Sequence, residues 1–310
     1  MKKEIKQQVN KIGYRNKKNR AMKWTSYLFV LPSAIFTLVF LVFPILYNIF
    51  LSFKNVTMMN LRSGSEFIGI DNYLKIINDP LFYTSLKNSI IFTIACMLFQ
   101  FVIGFALALF LNKDFPGRNL FRSMLLLGWM IPIVITGTIY KWMLAGDTGV
   151  FNFIMEYLGI IDSPIYWLTD ENMALVGTII ANIWIGIPFN MLILLAGLQG
   201  LPTQLYEAAK IDGASRFKQF IFITLPLMKP TIQILLMLTM IYTFKVFDLI
   251  FVMTGGGPVD ATTIFPLYAY QEAFTNYDLS VGAAISSVMF VLLTIFALVY
   301  LYISRKEDKN

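Results

Sequence analysis

Long apolar runs separated by shorter polar stretches set the plan of this chain. Six runs can each cross about 30 Å of hydrocarbon at roughly 20 residues per helix. They cover residues 24–50, 88–111, 121–141, 173–198, 228–251 and 281–303. The first run exceeds the ~7–15-residue core of a signal peptide, and no small-x-small cleavage pattern follows it, so it reads as a retained span. Pro32 and Pro44 inside it kink a membrane helix without excluding one. The third run carries Gly128, Pro132 and Gly137 and is the least regular of the six, with its ends open by several residues.

Charge tests this count independently, because loops on the cytoplasmic side of a membrane hold the Lys and Arg. Residues 1–23 contain nine Lys or Arg against Glu4 alone. The loop after the second run has Lys113, Arg118 and Arg122, and residues 207–230 have Lys210, Arg216, Lys218 and Lys229. The C-terminal stretch adds Arg305, Lys306 and Lys309. The alternate loops 143–173 and 252–280 hold acidic residues and no Lys or Arg, while the loop 51–87 is mixed. An even number of helices with both ends inside satisfies this pattern, and adding or deleting one helix places a basic stretch outside. The expectation is an all-α polytopic membrane protein with six transmembrane helices and both termini cytoplasmic. Residues 1–23 form a basic tail, 24–303 a single membrane domain with a cytoplasmic loop at 199–230, and 304–310 a second tail.

Composition agrees. The 310 residues are 57% hydrophobic and 14% charged, against about 25% charged in a soluble domain. The net charge of +7 is concentrated in loops on one side, which argues against nucleic acid as a partner. Cys96 is the only cysteine, so no internal disulfide forms. The chain has no His, which excludes His-based metal sites and His general bases. No GxxxxGK[ST] run is present to cradle a phosphate, and the acidic residues are scattered through loops. The chain is expected to be no enzyme and to bind no ATP or metal of its own.

One polar stretch has its own structural plan: 207–226, EAAKIDGASRFKQFIFITLP. Residues 207–211 are good helix formers. Asp212-Gly213 then breaks the helix, since Gly past a helix end tolerates positive φ. Ser215 is placed to cap a second short helix through about Phe222. Pro226 and Pro230 punctuate the return to the membrane. Helix, tight turn, helix at a membrane face suits docking into a groove of another protein; the plain alternative is an amphipathic interfacial turn with no partner.

Polar groups at membrane depth are costly and mark function by default. On the fourth span Asn182, Gly186 and Phe189 share a face at i, i+4 and i+7, and on the fifth Thr239, Tyr242, Thr243 and Val246 do the same. An amide, hydroxyls and aromatic rings are what a neutral polyhydroxylated ligand needs. The competing explanation is packing: Asn and Thr bond across helices, and Gly186 permits close approach. Lys245 and Asp248, one turn apart, read as a snorkelling pair near the outer end of the fifth span. In the outer loop, the turn 254–258 precedes a stretch over 264–274 that reads as a helix lying at the interface, with Phe265, Tyr268, Tyr270 and Phe274 at headgroup level; a plain membrane-edge linker and a contact with an extracellular partner are equal readings of it.

The spacing of Glu207, Ala208 and Ala209, then Gly213, then Ile223, Leu225 and Pro226 resembles the signature of permease subunits of bacterial ATP-binding-cassette importers. From 173 to 284 the chain is similar to the sugar branch, especially the maltose-type subunit, through the stretch 182–189 and the run Phe247-Asp248-Leu249-Ile250 followed by the turn 254–258. The resemblance implies the type I importer permease fold in a bacterial cell membrane. It implies an ATPase-coupling set of Glu207, Ala208, Ala209, Asp212, Gly213, Ala214, Ile223, Leu225 and Pro226. It implies a sugar-lining set of Asn182, Ile185, Gly186, Phe189, Thr239, Tyr242, Thr243 and Val246. The chain departs from the maltose type at Thr243 and Val246, where that subunit has Asn, and lacks its extra N-terminal helices and large outer domain. The implied partners are a second, related permease, two cytoplasmic ATPase subunits that bind ATP and Mg, and an extracellular or lipid-anchored sugar-binding protein. Glycerol phosphate or a polyol is the alternative cargo; a phosphate needs a fixed cation, and Lys245 reads as too near the surface. An ion-coupled secondary transporter needs mid-membrane acids and paired broken helices in repeated halves. A scaffold without transport leaves the polar faces unexplained.

Overall fold

The structure is a computed structural model that describes residues 28–61 and 65–307. The basic tail at 1–23, the start of the first span and the last three residues lie outside the described residues. Helix α1 is Leu28–Leu51, and its window is apolar and unburied in the isolated chain. It is followed by a two-residue antiparallel hairpin, β1 (Lys54–Asn55) and β2 (Glu66–Phe67), with Lys54 opposite Phe67. Then come α2 (Asp71–Ile77), α3 (Pro80–Leu111), α4 (Arg118–Met130), α5 (Ile133–Met143) and α6 (Val150–Tyr157). Next are α7 (Ala174–Gln199), α8 (Thr203–Ile211) and α9 (Arg216–Phe244). The chain closes with α10 (Asp248–Met253), α11 (Phe265–Tyr270) and α12 (Leu279–Glu307). Among the described residues, α1, α3, α7, α9 and α12 are long and apolar enough to cross a membrane, and the bent pair α4–α5 is a sixth candidate if its two helices count as one span.

Helices α3 and α7 form the centre. Phe105, Ala108 and Leu111 of α3 pack with Met191, Leu194, Leu195 and Leu198 of α7 and with Met228 and Leu235 of α9. Close approach is set by Gly104, where a Cβ would stand 2.7 Å from the Asn190 Cβ and 3.0 Å from the Met191 nitrogen. α12 anchors α1, with the Asn48 amide donating to the Ala283 carbonyl at 3.2 Å.

Four expectations are corrected. The second span starts at Pro80, not at 88. Asp79 caps it by accepting from the Leu81 nitrogen, and Pro occupies the first helical position. The polar residues that masked this start are used: Asn88 donates to the carbonyls of Asp260, Ala261 and Thr263, and Ser89 accepts from the Phe265 nitrogen. The third span is two helices meeting at 95°, because Ile131 turns extended before Pro132.

The fifth span begins at Arg216 and ends at Phe244, in place of 228–251. Its short N-terminal helix does not stop near Phe222. A π turn at Phe220–Thr224, with the Leu225 N–H on the Phe220 carbonyl, absorbs Pro226, so the helix continues into the membrane. Beyond Phe244 the chain leaves helical geometry, and Asp248 opens α10. Lys245 and Asp248 are therefore on different helices. The Lys245 ammonium lies 4.9 Å from the centroid of the Tyr242 ring.

Finally, the stretch 264–274 is helical as expected, but most of its aromatics do not face outward. Phe265 and Tyr268 are sealed in a cluster with Ile76, Phe244, Val281 and Ile285, and only Phe274 of the four aromatics is exposed. The Tyr268 hydroxyl donates to Asp79 Oδ2 at 2.6 Å; burial, and then this carboxylate, push its pKa up. Nearby, Glu272 is half-buried and its pKa is raised, burial being the largest cause.

Candidate functional site

A cavity of about 420 Å³ opens between α3, the α4–α5 break, α7 and the end of α9. All eight residues of the predicted lining set face it: Asn182, Ile185, Gly186 and Phe189 from α7, and Thr239, Tyr242, Thr243 and Val246 from α9 and the turn that follows. Val246 reaches it from beyond the helix end, so its place does not follow from helical periodicity. Four further residues complete the wall: Gln100 of α3, Trp129 of α4, Ile133 of α5 and Asn190 of α7. The predicted lining set held none of these, although Asn190 is among the polar residues at membrane depth on the fourth span. Gln100 is a lone amide in an apolar run, a detectable signal. Trp129 and Ile133 lie on either side of the α4–α5 break.

Pro188 shapes the α7 wall. Lacking an N–H, it leaves the Trp184 carbonyl without its helical donor. Two side-chain amides brace the turns beside this gap. Gln100 Nε2 donates to the Asn182 carbonyl at 2.8 Å, and Asn190 Nδ2 donates to the Gly186 carbonyl at 2.9 Å. Asn190 Oδ1 also accepts from the Thr239 hydroxyl at 3.3 Å, tying α7 to α9. Phe189 is the hub of the aromatic surface. It stacks with Trp129 at 6.0 Å and meets Tyr242 edge-on at 5.9 Å. Among the described residues the lining includes no charged side chain. The site therefore offers flat apolar rings beside amides and hydroxyls, which can hold an uncharged polar molecule and do no acid–base chemistry.

Six residues of the second predicted set lie between α7 and α9, and Ile223, Leu225 and Pro226 lie in the first turns of α9. Helix α8 ends at Ile211, and Gly213 adopts φ +74°, with nothing near its α-carbon face. The Ala214 nitrogen returns to the Ala209 carbonyl at 2.8 Å, closing the turn. Ser215 caps α9 by accepting from the Lys218 nitrogen at 3.3 Å. Tyr206 and Thr224 share a hydrogen bond of 2.9 Å that holds α8 beside α9. Glu207, Ala208, Asp212 and Pro226 are exposed, Ala209, Ala214 and Ile223 are half-buried, and Leu225 packs against the central cluster. Ile211 and Phe217 flank the turn at 86% and 74% exposure, so an apolar surface surrounds the acidic Glu207 and Asp212.

Residues 100–309 match the family model described as binding-protein-dependent transport system inner membrane component. The chain belongs to this family. Members of the family are membrane subunits of binding-protein-dependent transporters, so this permease is a transport subunit, not an enzyme. It is 37% identical over 298 residues to the trehalose/maltose transport system permease protein MalF of Thermococcus litoralis, covering 96% of this chain and 97% of that protein. It is 35% identical over 283 residues to the sulfoquinovosyl glycerol transport system permease protein SmoG of Agrobacterium fabrum, covering 91% and 90%. Its fold is similar to a chain in the crystal structure of a bacterial ABC transporter involved in the import of the acidic polysaccharide alginate. There the TM-score is 0.79 at 26% identity, over 94% of this permease and 99% of that chain. The type I importer fold expected of the permease is thereby established; the direction in which its ends face is not part of that likeness.

Proposed function

We propose that this permease carries a sugar or oligosaccharide into a bacterial cell, holding a glycosyl unit in the α3–α7–α9 cavity. The observation that carries the reading is the lining itself: amides and hydroxyls beside the Trp129, Phe189 and Tyr242 rings, without a charge. Sugars present hydroxyls at the ring edge and apolar C–H surface on the faces, and this wall offers partners for both. The cargoes for which these relatives are named, trehalose or maltose, a sulfoquinovosyl glycerol and alginate, all contain glycosyl units.

The 207–213 segment docks in a cleft of a cytoplasmic ATPase subunit, which binds the ATP and Mg. Its exposed Ile211 and Phe217 supply apolar contact, and Glu207 meets a basic residue. This orientation places the termini and the basic loops in the cytoplasm. A second, related permease completes the membrane path, and an extracellular or lipid-anchored binding protein delivers the sugar.

The test is a pull-down from detergent-solubilised native membranes with the parent chain and with Gly213→Pro. Proline fixes φ near −65° and cannot occupy a residue at +74°. The parent should recover an ATPase subunit and a second permease; the variant should keep the permease and lose the ATPase. An ATPase retained equally by both would overturn the docking role.

A further inference from the structure

Gln100 sits in the middle of an apolar helix, 2% exposed. A primary amide so placed costs free energy unless its bonds are made. Half of it is satisfied, by the 2.8 Å bond to the Asn182 carbonyl. A carbonyl can only accept, so the atom facing it is the amide nitrogen, and this fixes which way the oxygen points. The oxygen has no hydrogen bond within the described chain, yet it is not one of the sealed unpartnered atoms, which are Thr93 Oγ1 and Thr136 Oγ1. Gln100 is one of the residues that line the cavity.

Gly186 locks this arrangement. A Cβ on Gly186 would stand 2.2 Å from Gln100 Cδ, 2.3 Å from Nε2 and 2.4 Å from Oε1. The carboxamide therefore lies flat on the α7 backbone, in a notch only glycine provides. One turn further along both helices the pairing reverses, with Gly104 of α3 receiving Asn190 of α7. The two notches keep the helices in register. Both ends of the Asn190 amide are already engaged within the protein. We propose that Gln100 is a specificity-determining residue: its carboxamide oxygen is a fixed acceptor that selects saccharides bringing an unsubstituted hydroxyl to the α3–α7 wall. The proposal rests on the saccharide reading of the cavity. An analogue without that hydroxyl leaves a buried acceptor unpaired, and such sites discriminate more strongly than apolar pockets do.

The experiment uses the complete transporter in proteoliposomes, with ATP-driven uptake measured for maltose, trehalose and diacetylchitobiose. For whichever is taken up, the series of its mono-deoxyfluoro analogues follows; fluorine keeps the shape of a hydroxyl and removes the donor. The parent should disfavour one analogue by tenfold or more in kcat/KM. Gln100→Met, similar in length and without the amide, should lower uptake of the natural sugar and leave that analogue unchanged, so that the preference falls within twofold. Gly186→Ala should displace the carboxamide and lose the same preference. Adding Gln100→Ala to Gly186→Ala should relieve the clash and raise uptake of the natural sugar no further than the Gln100→Met level, without recovering the preference. A uniform loss on all sugars in Gln100→Met assigns Gln100 a purely structural role and overturns the proposal. So does a parent transporter indifferent to every analogue, whatever the variants do. Uptake of no saccharide at all defeats the reading of the cavity, and the proposal with it; that outcome is distinct from uptake without discrimination.

Discussion

Two kinds of glycine lie on the central helices and loops, and they differ in what a methyl group would meet. At Gly104 a Cβ collides with the Asn190 side chain and with backbone at Met191, which cannot swing aside. Gly104→Ala should cost about 1–3 kcal/mol through overpacking, read as a lowered melting temperature of the purified complex in detergent. Gly200, with an ordinary helical φ of −82° and its nearest neighbour 3.4 Å away, should accept Ala with a change of about 0.5 kcal/mol or less. Equal effects would place the α3–α7 approach elsewhere. At this scale the sequence was informative where residues repeat along one helix. Asn182, Gly186 and Phe189 announce a face, and so do Thr239, Tyr242 and Thr243. Gln100 repeats with nothing, and its meaning comes only from the α7 notch opposite it.

Helices α9 and α11 show where periodicity stops being enough. The apolar pattern of the fifth span runs through Lys245 to Phe251, but the backbone breaks at Lys245. Hydropathy cannot register a break whose residues stay apolar on both sides. The same holds for α4 and α5, although there Pro132 marks the place. For α11, alternating aromatic and polar residues suggested an interface, whereas tertiary packing buried Phe265 and Tyr268 and brought Glu272 with them. That last burial has a pH consequence. A carboxyl with a raised pKa keeps its proton in the folded protein at pH values where the unfolded chain has released it. Stability contributed this way is greatest below the ordinary glutamate range, and is lost as pH rises from that range through the native-state value. Glu272→Gln should flatten this decline. Thermal unfolding of parent and variant at several pH values from 4 to 8 measures it; curves that stay parallel would show that Glu272 titrates normally.

At the scale of the whole molecule, the cavity and the loop proposed to dock are joined by helix on the α9 side. Gly186 lies 13 residues before the end of α7 at Gln199, about 20 Å along the axis, and Thr239 lies 23 residues beyond the start of α9 at Arg216, about 35 Å. No flexible linker intervenes on the α9 side, because the π turn carries the helix past Pro226. On the α7 side, residues 200–202 join it directly to α8, which the Tyr206–Thr224 bond ties to α9. Under the proposed function, a displacement of the loop would be delivered to the Thr239 wall by α9, while cargo recognition would stay local to the cavity. The two functions should separate by mutation. Glu207→Lys should reduce uptake and binding-protein-stimulated ATP hydrolysis together, with the sugar concentration at half-maximal uptake unchanged. Asn182→Ala should raise that concentration by up to about tenfold, the scale of one lost hydrogen bond, with subunits assembled and ATP hydrolysis still stimulated. Both are measured on the reconstituted complex. A shift in concentration dependence from Glu207→Lys would mean that the loop reshapes the cavity at rest, and the helix would then be a spring.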